Sequence, residues 1–154
     1  SGDDELLMQK IAKDSDFKVK FCINKNAIVK TSANKTIADF YQQRKRWASK
    51  GLFYSDKSLV LKLLLIYLFY VSLIAQFIFA FVIHQVFFVS FITSFVAKLF
   101  LELRVLLTGK RIVFKNLELN YLLLIEIIQI PYIIFAGLLG AFGNYLWKDR
   151  KIKR

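Results

Sequence analysis

The chain has 154 residues, of which 56% are hydrophobic and 16% aromatic, and it carries a formal net charge of +12 at pH 7. Its hydrophobic share exceeds the roughly 45–50% that is usual in soluble domains, and the excess is concentrated, since residues 59–97 hold a single charged side chain, Lys62. This composition argues against an ordinary soluble domain and predicts a membrane protein.

The positive charge clusters at the ends of the apolar segments. Residues 1–58 carry a net charge of +5, residues 98–118 of +3 and residues 148–154 of +4. Such clusters are typical of side chains that face anionic lipid headgroups. They argue against a nucleic-acid partner, because no basic stripe falls on a soluble domain large enough to present it. Cys22 is the only cysteine, so no disulfide can form within the chain.

The polar first part of the chain predicts two helices and a strand pair. Residues 4–13 place apolar side chains four apart on one helical face. The alternating segment 17–23, followed after a turn by residues 27–31, predicts a strand pair. Thr36 and Asp39 have the spacing of a capping box, which predicts a second helix over about 37–50 with Gly51 as its stop.

Three apolar blocks follow. Residues 59–83 are long enough as a helix to cross a hydrocarbon core of roughly 30 Å. We expect a second span over about 84–101, leading into an interfacial segment of about 98–118, in which Lys98 and Glu102 are spaced to pair. The third block, residues 119–147, contains Glu126, and we expect this carboxylate to face other helices, because exposure to lipid is costly.

The direction of the last block is left open by the charges. If residues 1–58 and 98–118 are both cytoplasmic, three crossings place the basic tail 148–154 on the opposite side. That placement violates the positive-inside rule. Either the tail is an exception to the rule or one block does not cross.

Two groups of side chains could carry chemistry. Gln43, Arg46 and Trp47 lie at i, i+3 and i+4 of the second helix and therefore share one face. A guanidinium suits phosphate oxygens and an indole suits the apolar face of a sugar, with Arg44 and Lys45 expected to point away, toward headgroups. The alternative is a basic amphipathic helix at the interface, with Trp47 as a belt residue.

Adjacent carboxylates form the second group. Asp3 and Asp4 open the first helix, where acidic residues commonly cap the helix and complement its dipole. Two close carboxylates also raise one another's proton affinity, so that one of them can accept a proton from a hydroxyl. Position alone favours the capping interpretation.

The order of these features resembles the C-terminal part of family 2 glycosyltransferases: Gly2-Asp3-Asp4, a strand pair, Gln43-x-x-Arg46-Trp47 and then membrane spans. These membrane-embedded enzymes include cellulose, chitin and hyaluronan synthases. The resemblance covers residues 1–58 by motif and the rest by hydrophobic layout alone. It implies that Asp4, or Asp3 after a one-residue shift, is the base that deprotonates the acceptor hydroxyl. It also implies that Gln43 and Arg46 hold the diphosphate of a nucleotide sugar, and that Trp47 stacks on the acceptor sugar.

The resemblance implies a mainly α-helical fold in which about three transmembrane helices follow the C-terminal remnant of an α/β (GT-A-like) catalytic domain. Residues 1–58 would be that remnant on the cytoplasmic side of the cell inner membrane, and residues 59–154 the transmembrane region. The implied reaction is inverting sugar transfer from a nucleotide-diphosphate sugar to a glycan acceptor. A divalent metal, Mg²⁺ or Mn²⁺, is expected for the full-length enzyme, with ligands outside this chain. We therefore expect the chain to be a fragment that is inactive alone.

Two other functions stay open at this point. One is the transfer of a single sugar to a lipid acceptor. The other is a small membrane anchor or assembly protein that has no catalytic activity.

Overall fold

The computed structural model describes residues 3–20, 22, 24–29, 31–51, 54–112, 119–142, 145–147 and 150–152. For residues 3–5, 25, 112, 142, 145–147 and 150–152 it describes the backbone only. Within these ranges the protein is mainly α-helical, which confirms the expected class with three long apolar helices. The α/β remnant expected over residues 1–58 stays a prediction.

Five α-helices and one short hairpin follow one another along the chain. They are α1 (Asp3–Asp14), α2 (Ile37–Ala48), α3 (Lys57–Val82), α4 (Val86–Ile112), α5 (Leu122–Phe142), β1 (Tyr145–Trp147) and β2 (Arg150–Ile152), with a 3₁₀ turn at Lys25–Ala27. The two strands pair antiparallel, with Tyr145 opposite Ile152 and Trp147 opposite Arg150. α1 covers the helix that the apolar spacing predicts over residues 4–13.

The predicted strand pair over residues 17–31 is wrong in the described part of that segment, which contains only the 3₁₀ turn. Phe17 and Val29 are 77% and 83% exposed, so these two apolar side chains are not covered by the described part of the chain. An isolated two-stranded hairpin is marginal in water without a covering helix or a third strand. The amide of Asn26 instead donates to the side-chain oxygen of Asn24, at 2.9 Å, which stabilises the turn.

The start of α2 is capped as the sequence predicts. The Thr36 hydroxyl oxygen accepts a hydrogen bond from the Asp39 amide at 3.0 Å, and the hydroxyl donates to the Asp39 carboxylate at 2.7 Å. The helix ends at Ala48, and its C-cap is Ser49 in right-handed helical conformation. The Ser49 hydroxyl donates to the carbonyl of Arg46 at 2.8 Å. Ser49, rather than Gly51, therefore terminates the helix.

The three longest helices carry candidate spans of 26, 26 and 20 residues that are long and apolar enough to cross a membrane. At 1.5 Å per residue, 26 residues extend about 39 Å, more than the hydrocarbon thickness. Many of their large apolar side chains, such as Leu65, Phe81 and Ile128, are exposed and not buried within the protein. This is the pattern of side chains solvated by lipid, and it indicates a bilayer environment. α4 continues to Ile112, beyond the end near residue 101 that we expected; the interfacial segment stays a prediction.

The chain divides into two compact units. The first comprises residues 1–21, 31–67 and 133–154, and the second residues 22–30 and 68–132. In the second unit α3 and α4 run antiparallel, since Gln76 pairs with Ser90 and Phe79 with Phe87 near the connection. His84 lies in that connection, where its Nδ1 accepts a hydrogen bond from the Val86 amide at 3.1 Å.

In the first unit the C-terminal turns of α5 make close contacts through small residues. A Cβ atom added at Gly140 would lie 2.5 Å from the Ala48 Cβ, and one added at Gly137 would lie 2.6 Å from the Tyr67 ring. The absence of side chains at Gly137 and Gly140 therefore lets α5 approach its neighbours closely. The neighbour of Gly140 is α2, which also packs against β1.

Candidate functional site

The side chains of the predicted Gln-x-x-Arg-Trp site lie on one face of α2. Gln43 and Arg46 are half-buried, whereas Trp47 is 47% exposed. The Gln43 side-chain oxygen accepts a hydrogen bond from the Asn34 side-chain amide at 3.1 Å. Because that oxygen is held by Asn34, the amide nitrogen of Gln43 is the group that can donate to a ligand. The three side chains thus combine an amide donor, a guanidinium and an accessible indole within two helical turns.

Arg44 differs from the expectation that it points away toward headgroups. Its guanidinium carbon lies 4.5 Å from the centroid of the Trp47 ring and 4.9 Å from that of Phe40. The cause is local, since both aromatic residues lie three or four positions from Arg44 on the helix. A guanidinium over an indole is held by the ring quadrupole. Arg44 therefore covers one face of Trp47, whose side chain is 47% exposed.

The two proposed bases are only partly placed. Asp3 and Asp4 form the first turn of α1, in agreement with the helix predicted there. Their side chains lie outside the described residues, so their approach to Gln43, Arg46 and Trp47 stays a prediction. Among the residues that the structure describes, no group of three or more His, Cys, Asp or Glu side chains could hold a metal ion. These residues do not fit a divalent metal.

A second polar group lies inside the second unit, which we call the intramembrane cluster: Tyr70, Lys98, Glu102, Glu126 and Gln129. The Lys98 ammonium bonds to the Glu126 carboxylate, to the Gln129 side-chain oxygen at 3.0 Å and to the Glu102 carboxylate at 3.1 Å. The Tyr70 hydroxyl donates to Glu102 at 3.1 Å. Residues from α3, α4 and α5 thus meet at one ammonium group.

The centre of the intramembrane cluster is buried although it carries charge. Lys98 is 5% exposed and Glu126 is 2% exposed, which makes Glu126 one of the two most deeply buried large side chains in the described residues. Charges removed from water are tolerated only when they are paired and hydrogen-bonded. The expected Lys98–Glu102 pair and the inward position of Glu126 are both confirmed. The contact of Lys98 with Glu126 was not predicted, although charges of opposite sign inside successive apolar blocks indicate such a pair.

A cavity of about 380 Å³ adjoins the cluster. Glu102, Glu126 and Gln129 form its polar wall, and its other lining residues are Val105, Leu106, Leu119, Leu122 and Ile125. An aliphatic lining of this kind suits a hydrocarbon chain better than a sugar ring. The cavity therefore differs in chemistry from the Gln43, Arg46 and Trp47 face of α2.

Comparison of the chain with protein-family models, with curated proteins and with solved structures finds no match.

Proposed function

We propose that this chain is the C-terminal, membrane-embedded part of an inverting glycosyltransferase of the family 2 type, which moves a sugar from a nucleotide-diphosphate sugar to a glycan acceptor. The observation that carries the proposal is the face of α2 that presents Gln43, Arg46 and Trp47, which we call the ligand-binding face. Gln43, Arg46 and an exposed Trp47 share this face, and α3, the first long apolar helix, begins nine residues after α2 ends. A diphosphate and a sugar ring are the ligands that these three groups suit.

The reaction begins at the acceptor hydroxyl. Asp4, or Asp3 in the alternative alignment, takes the hydroxyl proton, and the acceptor oxygen attacks the anomeric carbon of the donor sugar. The bond from that carbon to the diphosphate breaks on the opposite side, so the configuration is inverted and the diphosphate leaves with the electron pair. A positioned base of this kind contributes about 10² to 10⁴ in rate.

The α2 residues act on the leaving group and on the acceptor. Negative charge grows on the diphosphate as the bond breaks, and the Arg46 guanidinium and the Gln43 amide donate hydrogen bonds to it. Trp47 offers the indole face that Arg44 does not cover to the acceptor sugar. Because the described residues do not fit a divalent metal, no step is assigned to one in this chain; the Mg²⁺ or Mn²⁺ of the whole enzyme needs ligands elsewhere.

The place of this chemistry is the cytoplasmic face of the inner membrane. Residues 1–58 lie at that face in the proposed arrangement, and α2 stands at the membrane surface with its basic side chains near anionic headgroups. Nucleotide sugars reach the ligand-binding face of α2 from the cytoplasm.

Transfer to a lipid acceptor is the second candidate. It is favoured by the small number of candidate spans, three in the described residues, which is few for a channel that conducts a long polymer. An anchor or assembly protein without catalysis would also use three apolar helices. Such a protein would use the exposed indole of Trp47 as a belt residue at the interface, but it would not need the half-buried Gln43 and Arg46 on the same face.

The test is sugar transfer by membranes that contain the complete protein to which this chain belongs. Trp47→Ala and Asp4→Asn should each lower transfer by at least about 100-fold. Lys45→Ala, on the same helix but outside the proposed site, should retain activity and serves as the matched control. The isolated 154-residue chain should be inactive. Full activity of both Trp47→Ala and Asp4→Asn would contradict the site, and a glycan or lipid product decides between the acceptors.

A further inference from the structure

In the first unit, α2, from the polar first part of the chain, meets the end of α5 and β1. Gly140, near the end of α5, lies against α2 so closely that an added Cβ would be 2.9 Å from the Lys45 carbonyl oxygen and 2.5 Å from the Ala48 Cβ. α2 also packs against β1. α2 precedes every candidate span among the described residues, whereas β1 follows all of them.

Segments in direct contact cannot lie on opposite sides of a hydrocarbon core roughly 30 Å thick. We propose that α2 and the basic C-terminal hairpin lie on the same side of the membrane, so that only two of the three apolar helices cross it. An even number of crossings is the only arrangement that returns the chain to the side from which it starts.

The two crossings belong to α3 and α4. In the second unit these helices form an antiparallel pair joined by a short connection, with contacts from Phe79–Phe87 beside the connection to Tyr70–Glu102 farther along. An antiparallel pair of 26-residue spans enters and leaves on one side. The α3–α4 pair therefore supplies both membrane crossings, and α5 need not cross.

α5 is then inserted without crossing. It has the shortest of the three candidate spans, at 20 residues, and it contains Pro131. Proline removes an amide donor from the helix and commonly bends it. A bent or oblique apolar helix can remain in the bilayer while both of its ends stay at the same surface.

The charge distribution agrees with this arrangement independently of the contacts. Residues 1–58, 98–118 and 148–154 carry net charges of +5, +3 and +4. With two crossings all three segments lie on one side, as the positive-inside rule requires. With three crossings the most densely charged of them would lie on the wrong side. This topology does not depend on sugar transfer and goes beyond the proposed function.

The experiment is labelling of single cysteines by a membrane-impermeant maleimide in sealed vesicles of known orientation that contain the full chain. Cys22 is exposed and is the only cysteine, so it reports the side of the N-terminal region without mutation. In a Cys22→Ser background, Lys153→Cys reports the side of the tail and His84→Cys reports the α3–α4 connection. Detergent permeabilisation should make all three thiols reactive and controls for burial.

We expect Cys22 and the Lys153→Cys thiol to react from the same side, and the His84→Cys thiol to react only from the other. Reaction of the Lys153→Cys thiol from the side opposite Cys22 would overturn the proposal. Reaction of all three thiols from one side would also overturn it, because α3 and α4 would then not cross.

Discussion

Lys98 connects two carboxylates that belong to different helices, and its surroundings explain how one charge can be buried in an apolar helix. The ammonium has three donors, and Glu126, Glu102 and Gln129 each accept one of them. Each of the three ammonium donors of Lys98 therefore has an acceptor. The intramembrane cluster therefore defines how α4 and the first part of α5 are rotated toward one another.

The cluster makes an asymmetric prediction for mutants. Lys98→Leu leaves two facing carboxylates without their cation, whereas Glu126→Leu leaves Lys98 with Glu102 at 3.1 Å. We expect Lys98→Leu to lower the free energy of unfolding by about 3–5 kcal/mol and Glu126→Leu to lower it by less. Unfolding in mixed detergent micelles, followed by circular dichroism, measures both changes.

The double variant Lys98→Leu/Glu126→Leu completes the cycle. It should be more stable than Lys98→Leu alone, because one buried carboxylate is removed together with the cation. Equal stability of Lys98→Leu and the wild type would contradict a buried role for the ammonium.

At the scale of helices, the contact between α2 and α5 depends on the absence of a side chain. The atoms nearest to an added Cβ at Gly140 include backbone atoms of Lys45 and Ser49, at 2.9 and 3.1 Å, which cannot move without displacing α2. The atoms nearest to an added Cβ at Gly137 belong to the Tyr67 ring, a side chain that can rotate. The two glycines therefore differ in the cost of adding one methyl group.

Gly140→Ala is accordingly expected to destabilise the protein by about 1–3 kcal/mol, the usual cost of overpacking. Gly137→Ala is its matched control and should cost less, since the gain in helix propensity, about 1 kcal/mol, offsets the rotation of one ring. Thermal unfolding of the two variants in detergent gives the comparison. A larger loss for Gly137→Ala than for Gly140→Ala would contradict the described packing.

At the scale of the whole molecule, attachment to the membrane has two sources of very different strength. The basic side chains of α2 and of the tail are attracted to anionic headgroups, and salt screens that attraction. The three apolar helices bury whole faces in hydrocarbon, where neither salt nor pH affects the driving force. The second source should dominate.

We therefore expect the chain to stay in the membrane pellet after washes with 1 M salt and with alkaline carbonate, as measured by immunoblotting of pellet and supernatant. A peripheral protein bound to the same vesicles is the control and should be released. Release of the chain by salt would show that the basic side chains alone attach it and that the apolar helices do not insert.

Features that depend on near neighbours along the chain could be predicted from the sequence. The Thr36–Asp39 cap, the shared face of Gln43, Arg46 and Trp47, and the three apolar helices all follow from hydrogen bonds and periodicities that span a few residues. The Lys98–Glu102 pair belongs to the same class, since its members lie one helical turn apart. Helix periodicity also brings Arg44 over Trp47, although we expected it to face away.

Contacts between distant segments required the folded structure. Lys98 and Glu126 are 28 positions apart, and their meeting depends on the rotation of two helices that no local pattern specifies. The contact of Gly140 with Ala48 likewise depends on where α5 is placed relative to α2, which no local pattern specifies. The strand pair failed for the same reason, because an alternating segment becomes a strand only when another surface covers its apolar side. Local hydrogen bonding therefore accounts for the helices and for the face that Gln43, Arg46 and Trp47 share, whereas long-range packing accounts for the buried charges and for the contact between α2 and the end of α5.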